Sequence, residues 1–255
     1  MVNNQLIINS YGNFDTDGYS IVRNLFTANE IQGLVDRITE ISNGEHFMAS
    51  RRFQLDTSDG DYDQVDMNSM DFKGPSDSYR KIADLEYDEF FLNTFKKKLF
   101  ENACLSFYKE DFSIMRMTVM NKPALAGTYL PWHQDYSIDW PLSDLPLLTA
   151  WVPLDPISDS SGGLEIVKKS HKHGVIGRGH ILPEKETFKY VLNEDVISPD
   201  VQPGDCLFFH PALLHRSGIN RTNNPRRAIN LVLLKAKTIN LRTKKKYLML
   251  FHDKS

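Results

Sequence analysis

The residues best suited to chemistry lie in Pro131-Trp132-His133-Gln134-Asp135 and in a stretch about eighty residues on, Phe208-Phe209-His210-Pro211-Ala212-Leu213-Leu214-His215-Arg216-Ser217-Gly218. His133 and Asp135 are two apart, so on an extended strand both side chains leave the same face. His215 supplies a second imidazole. Two imidazoles and one carboxylate cap one face of an octahedral ion and leave the opposite positions open, the arrangement associated with non-haem Fe(II) oxygenases. Alone, His-x-Asp is a common pairing, ordinarily two exposed polar positions near a strand end. It gains weight because further parts follow in order. Gly204-Asp205-Cys206-Leu207-Phe208-Phe209 reads as a turn feeding a buried strand ahead of His215, and Arg226 opens an alternating run after it.

In that run Arg226, Ala228, Asn230 and Val232 share one face, and Arg227, Ile229, Leu231 and Leu233 share the other. An arginine on the inner face of a barrel needs an anion, because an unpaired buried charge is very costly. A dicarboxylate co-substrate would supply one, and a guanidinium holds a carboxylate bidentately as lysine cannot. An exposed strand end is the plainer reading of Arg226 taken by itself. His210 is the rival to His215, and spacing to Arg226 favours His215. His171 and His173 read as hydrogen-bonded or exposed turn residues. His46, His180 and His252 have no partners at ligand spacing.

The elements that would position these groups are legible in part. Residues 5–26 read as short strands around a tight turn at Asp15-Thr16-Asp17-Gly18. Thr27 and Glu30 form a capping box for a helix to about Ser42, with Ile31, Leu34, Val35, Ile38 and Ile41 on its apolar side and Asn43-Gly44 at its end. The acidic stretch Phe53–Asp77 lacks the Gly and Glu that a calcium loop starting at Asp59 requires, so it reads as a solvated or substrate-covering loop. A helix is expected over 88–102, with Phe90, Phe91, Phe95, Leu99 and Phe100 as its apolar side. Strands follow at 111–120 (Phe112, Ile114, Arg116 and Thr118 on one face), 147–154, 163–167, 204–209, 213–217 and 226–236. Met115, Met117 and Met120 read as core packing. Helices first and strands afterwards indicate a mainly β, α+β chain forming a sandwich or barrel. With no repeat and no linker, residues 1–255 read as a single domain.

Composition sets the outer limits. A chain of 255 residues with 41% hydrophobic and 25% charged residues can bury a sizeable core. A formal net charge of −3 gives no reason to expect nucleic acid or a membrane surface as partner. Two cysteines, Cys104 and Cys206, support neither a disulfide framework nor a thiolate metal site. With no apolar run long enough to span a bilayer and no signal-peptide pattern, the chain reads as soluble and cytoplasmic. The basic group Lys235, Lys237, Arg242 and Lys244-Lys245-Lys246 reads as a solvated surface.

Asn121-Lys122-Pro123, Pro131-Trp132-His133-Gln134-Asp135, Trp151, Gly162-Gly163-Leu164, Ser170-His171-Lys172, and Gly204-Asp205 through Ser217-Gly218 to Arg226 together resemble the phytanoyl-CoA dioxygenase family. Phe14-x-x-x-Gly18-Tyr19 and the helix after Thr27 resemble that family's opening. The resemblance implies a double-stranded β-helix (jelly-roll) that binds Fe(II), 2-oxoglutarate and O2. It implies His133, Asp135 and His215 as iron ligands, Arg226 and Ser217 at the distal carboxylate of 2-oxoglutarate, and Gln134 and Trp151 lining the co-substrate pocket. Lys168-Lys169 stands where the family often has Pro-Gly. Asp135 fills the place that related halogenases leave for a halide, so hydroxylation with release of succinate and CO2 is the implied outcome. The alternatives are a cupin-like binding protein without turnover and a zinc hydrolase using the same ligands. The substrate is expected to be a small molecule, with Phe47, Phe53, Tyr62, Phe72, Tyr136 and Trp140 as candidate pocket aromatics. Oligomeric state is not readable from the sequence.

Overall fold

The computed structural model describes residues 10–48, 50–57, 60–65, 74–176 and 181–251. The chain opens with β1 (Ser10–Tyr11), a one-turn helix α1 (Phe14–Asp17) and β2 (Tyr19–Val22). The expected tight turn is therefore a helical turn, capped by Asn13 and closed by Gly18 at φ 86. Helix α2 (Ala28–Asn43) begins at the predicted capping box, with Thr27 and Glu30 bonding reciprocally, and ends at Gly44 with φ 80. Ile31, Leu34, Ile38 and Ile41 of α2 are buried.

The expected helix over 88–102 is two helices, α3 (Glu89–Phe95) and α4 (Lys98–Phe107). At the break, Lys97 is extended (φ −91, ψ 147), and its ammonium reaches Glu30 at 2.8 Å and lies 4.0 Å from the Phe26 ring centroid. In an unbroken helix residues 95 and 100 would project about 140° apart. The break brings Phe95 and Phe100 edge to face at 5.2 Å, joined by Phe26 and Phe208. Each fully buried aromatic of this kind contributes roughly 1.5–3 kcal/mol by leaving water.

Strand β3 (Arg52–Leu55) occupies the start of the stretch expected to be loop, and β4 (Tyr79–Ala83) follows that stretch. They are followed by β5 (Phe112–Lys122), β6 (Leu130–His133), β7 (Leu148–Pro153) and β8 (Leu164–Val167). A short helix α5 (Glu184–Tyr190), β9 (Val196–Ile197), β10 (Cys206–Phe209), β11 (His215–Ser217), β12 (Arg226–Lys235) and β13 (Leu248–Phe251) complete the order. Among the described residues one sheet runs β1-β2-β10-β7-β12-β5-β4-β3, with β13 also on β5, and a smaller sheet runs β6-β11-β8-β9. All pairings are antiparallel. This is the expected mainly β double-stranded β-helix, with helices on the outer face of the larger sheet.

Period-two alternation separates the two faces of that sheet. On β7, Leu148, Ala150 and Val152 pack outward with the helices, while Thr149 and Trp151 face the interior. On β12, Ile229, Leu231 and Leu233 pack outward, while Arg226, Ala228 and Asn230 face inward, as the sequence indicates. On β5 the alternation changes phase. Arg116 pairs with Val232 and Ile114 with Leu233, so Met115 is an extra residue, a β-bulge. Phe112 and Ile114 therefore belong to the outer core, while Arg116, Thr118, Met120 and Lys122 turn into the barrel. The expectation of Phe112, Ile114, Arg116 and Thr118 on one face is corrected by that bulge. Of the three methionines only Met117 is in the core, and Met120 lines the cavity.

Candidate active site

The barrel interior holds a cavity of about 610 Å3. Strand pairing sets His215 of β11 directly opposite His133 at the end of β6, with ring centroids 4.0 Å apart. Asp135 lies just past β6, fixed by its amide N–H donating to the Pro211 carbonyl at 2.8 Å. One ligand atom from each of His133, Asp135 and His215 lies within 4.8 Å of the others, and all three residues are buried. This is the only such group of three metal-binding side chains among the described residues.

The surroundings prepare these side chains to hold a cation. Each histidine uses Nδ1 on a backbone carbonyl, His133 on Pro131 and His215 on Leu213, both at 2.9 Å. The tautomer this implies leaves Nε2 as the acceptor on each ring. Burial pushes the His215 imidazole below its ordinary value, against the opposing pull of Asp135, which favours the neutral form a metal requires. Asp135 accepts from the Arg116 guanidinium at 2.7 Å on Oδ1, and from Thr149 and Asn230, each at 3.3 Å, on Oδ2. The donor set and its supports fit a hard-to-borderline divalent ion with open positions, Fe(II) included.

Arg226 lines the same cavity, 3% exposed. One Nη donates to the Gly162 carbonyl at 2.9 Å, while Nε is buried with no hydrogen-bond partner. Burial lowers its pKa to about 10, with Asp155 opposing. Trp151 lies under the guanidinium, 5.8 Å from its carbon to the ring centroid, and Ser217 also lines the cavity. Arg226 stands four residues, about 13 Å of strand, from Asn230, with only the methyl of Ala228 between them on that face. A dicarboxylate reaching from the three-donor cluster toward Arg226 would satisfy the guanidinium. Arg227 points the other way, onto Asp155 at 2.7 and 2.9 Å.

Several expected or weighed residues lie elsewhere. Gln134, expected at the co-substrate pocket, does not line the cavity. Its amide is engaged by the Gly174 and Ala212 carbonyls and by the Ile176 N–H, so it ties two loops together behind the metal-binding turn. His210 sits beside His171 at 5.4 Å, and burial, then His171, pushes it down to about 4. His46 bonds Asp88 at 2.8 Å, and His180 and His252 lie outside the described residues. Of the candidate aromatics, Tyr62 and Trp140 line the cavity, Phe53 is core, Tyr136 is buried outside the lining, Phe47 is 76% exposed, and Phe72 lies outside the described residues. Asp59, Asp66 and Asp71 of the acidic stretch also lie outside them.

With the geometry in place, comparison with known proteins decides the family. The family model described as phytanoyl-CoA dioxygenase matches residues 14–228. The chain belongs to the phytanoyl-CoA dioxygenase family. It is 25% identical over 238 residues to a probable phytanoyl-CoA dioxygenase of Caenorhabditis elegans, covering 85% of this chain and 72% of that one. It is 30% identical over 130 residues to a 1-deoxypentalenic acid 11-beta-hydroxylase of Streptomyces exfoliatus, covering 45% and 44%. In fold it resembles EctD from S. alaskensis with bound Fe, at TM-score 0.71 and 16% identity over 96% of this chain and 90% of that one. Members of the phytanoyl-CoA dioxygenase family are Fe(II)- and 2-oxoglutarate-dependent oxygenases, and family membership assigns this chain to that catalytic class. Among the described residues no helix is long and apolar enough to cross a membrane.

Arg116, Thr149 and Asn230 were not singled out in the sequence. The available signal is polarity inside apolar strands, most clearly an arginine within Ile114-Met115-Arg116-Met117. The bulge that aims Arg116 is held by Glu86, whose carboxylate accepts the Met117 N–H at 3.0 Å. Glu86 is 5% exposed, and burial raises its carboxyl to about 7 from an ordinary 4.5, against its backbone hydrogen bonds. A carboxyl with a raised folded value binds its proton more tightly in the folded chain. Its stabilising contribution is therefore present below about pH 4.5 and is lost as pH rises through 7. Wild type is expected to lose about 3 kcal/mol from this group between pH 4.5 and pH 8. Glu86→Gln, which keeps an acceptor for Met117, should remove that loss. Urea unfolding of both proteins at pH 5 and pH 8 reads the difference, and parallel pH profiles would contradict the assignment.

Proposed function

We propose that this chain hydroxylates an unactivated C–H bond of a small organic molecule, working as one domain with Fe(II), 2-oxoglutarate and O2. In this reading His133, Asp135 and His215 hold the metal. Arg226, with the Ser217 hydroxyl, receives the distal carboxylate of 2-oxoglutarate, and Trp151 walls that end of the pocket. The observation that supports it most is the juxtaposition, in one cavity, of the three-donor cluster and a buried guanidinium with an unmatched N–H. A zinc hydrolase or a simple binding protein gives that guanidinium no task.

When bound, the metal and co-substrate supply the oxidising chemistry, consuming O2 and 2-oxoglutarate and releasing succinate and CO2. The chain's own residues bind and orient. Arg116, Thr149 and Asn230 fix the Asp135 carboxylate, and the two backbone carbonyls fix the imidazole rings. Leu164, Phe209 and Trp151 present apolar walls that exclude water from the site. The Streptomyces relative is named as a hydroxylase of a small acid, which supports hydroxylation of a small molecule. The test is aerobic incubation with Fe(II) and 2-oxoglutarate. Succinate release that requires Fe(II) and fails with Zn(II) is expected, and a protein that binds both yet releases none contradicts oxygenase function.

A further inference from the structure

Three consecutive carbonyls of one turn hold groups of the metal-binding cluster. Pro211 accepts the Asp135 N–H at 2.8 Å, Ala212 accepts the Gln134 amide at 2.6 Å, and Leu213 accepts from Nδ1 of His215 at 2.9 Å. Two of the three donors, and the residue between His133 and Asp135, therefore take their position from His210–Leu213, which lies between β10 and β11. The Leu213 N–H closes the turn on the His210 carbonyl at 2.7 Å. Pro211 suits the second position of such a turn, but Pro211, Ala212 and Leu213 carry no polar side chain to brace it.

His210 supplies the brace. Its Nδ1 accepts the Ala212 N–H at 3.0 Å, the bond to the backbone two residues on that Asn or Asp makes at the start of many turns. Ala212 is buried, so losing that acceptor leaves its N–H away from water without its partner. The bond needs an uncharged ring with its proton on Nε2, and burial, then the neighbouring His171, favours the uncharged form. Elsewhere the ring packs, its centroid 6.4 Å from that of Phe14 and 5.4 Å from that of His171. From behind, Gly18, which closes α1, accepts the His210 N–H at 2.9 Å, and a Cβ there would come within 2.6 Å of Leu213 Cδ1. The turn is thus clamped to α1 on one side and carries the metal donors on the other. His210 itself does not line the cavity, so its influence passes through the backbone.

We infer that His210 is a positioning residue for the metal site, holding through Nδ1 the turn whose carbonyls orient Asp135 and His215. The assignment takes His133, Asp135 and His215 as metal ligands from the proposed function. Two variants separate the acceptor from the ring. His210→Asn keeps an acceptor for the Ala212 N–H and gives up the ring, whereas His210→Phe keeps a ring and gives up the acceptor. Metal-free wild type and both variants are titrated with Co(II), reading affinity and the d–d absorption that reports the arrangement of the donors. Thermal unfolding of the metal-free proteins is followed alongside. His210→Phe should bind Co(II) about tenfold more weakly or worse, with an altered spectrum, the effect of losing an outer support of the ligands. His210→Asn should stay within about threefold of wild type and keep its spectrum, whatever it loses in thermal stability. Should His210→Phe not fold, His210→Ala takes its place with the same expectations. Wild-type affinity and spectrum in the variant without the acceptor would overturn the inference. So would an equal loss in His210→Asn, which would make the packing of the ring, rather than its nitrogen, the cause. If Asp135→Ala binds Co(II) as tightly as wild type, the ligand assignment falls first and this inference with it.

Discussion

Asp135→Ala is expected to weaken Fe(II) retention by more than about 100-fold, beyond the loss from removing a supporting hydrogen bond alone. The carboxylate is the only anion of the donor set and, among the described residues, the only one lining the cavity. Its removal leaves two neutral imidazoles to hold a labile divalent ion. It also strips the Arg116 guanidinium of its partner at 2.7 Å; because that side chain is 24% exposed, the cost falls below the about 3–5 kcal/mol of deleting one member of a fully buried pair. Two losses are therefore expected together, metal affinity and thermal stability. Combining Asp135→Ala with Arg116→Met should recover part of the stability and none of the Fe(II) binding. Equilibrium dialysis with Fe(II) and thermal unfolding separate the two effects. Undiminished metal retention in a folded Asp135→Ala protein would contradict the ligand assignment.

Arg226→Ala is expected to raise the concentration of 2-oxoglutarate needed for binding by about 30-fold to several thousand-fold, since truncating one partner of a buried charge pair costs about 2–5 kcal/mol. Fe(II) affinity should be unchanged, because Arg226 touches none of the three donors. Arg226→Lys should restore little, because a point charge replaces a planar fork. Arg227→Ala provides the internal control. Arg227 bonds Asp155 through both its backbone N–H and its guanidinium on the outer face of β12, so its loss should lower stability and spare co-substrate affinity. Anaerobic binding isotherms on the four proteins test this directly. The opposite pattern, with Arg227 essential and Arg226 dispensable, would reverse the orientation of the strand.

The contrast between these adjacent arginines was legible because β12 alternates cleanly for its first seven residues. Strands β7 and β10 were readable as apolar runs bounded by turn residues, and α2 by its capping box and helical spacing. Reading failed where one residue changes the phase or where a cavity replaces a core. At β5 the extra residue Met115 reverses the faces, so a strict period of two assigns Phe112 and Arg116 to the same side when they lie on opposite sides. Strands β3 and β4 carry Arg52, Gln54, Arg80 and Lys81, polar residues that mask an apolar strand pattern, and three of them line the cavity. Lys96-Lys97 gives no sequence signal for a helix break. The break follows from tertiary contacts of Lys97 with Glu30 and Phe26. Gln134 sits within the motif that carries His133 and Asp135, and proximity in sequence suggested proximity to the co-substrate. Its side chain instead bonds three backbone groups on the far side of the turn.

The central claim is that one cavity holds Fe(II) through His133, Asp135 and His215 and 2-oxoglutarate through Arg226. The most direct measurement is an anaerobic titration of the metal-free protein with Fe(II) and then 2-oxoglutarate, following the weak visible charge-transfer band of the chelate. It requires no substrate. The account predicts a band that appears only when both are present and saturates near one equivalent of each, is lost in Asp135→Ala, and shifts to far higher 2-oxoglutarate in Arg226→Ala. A folded wild-type protein that binds Fe(II) but never develops the band with 2-oxoglutarate would contradict it.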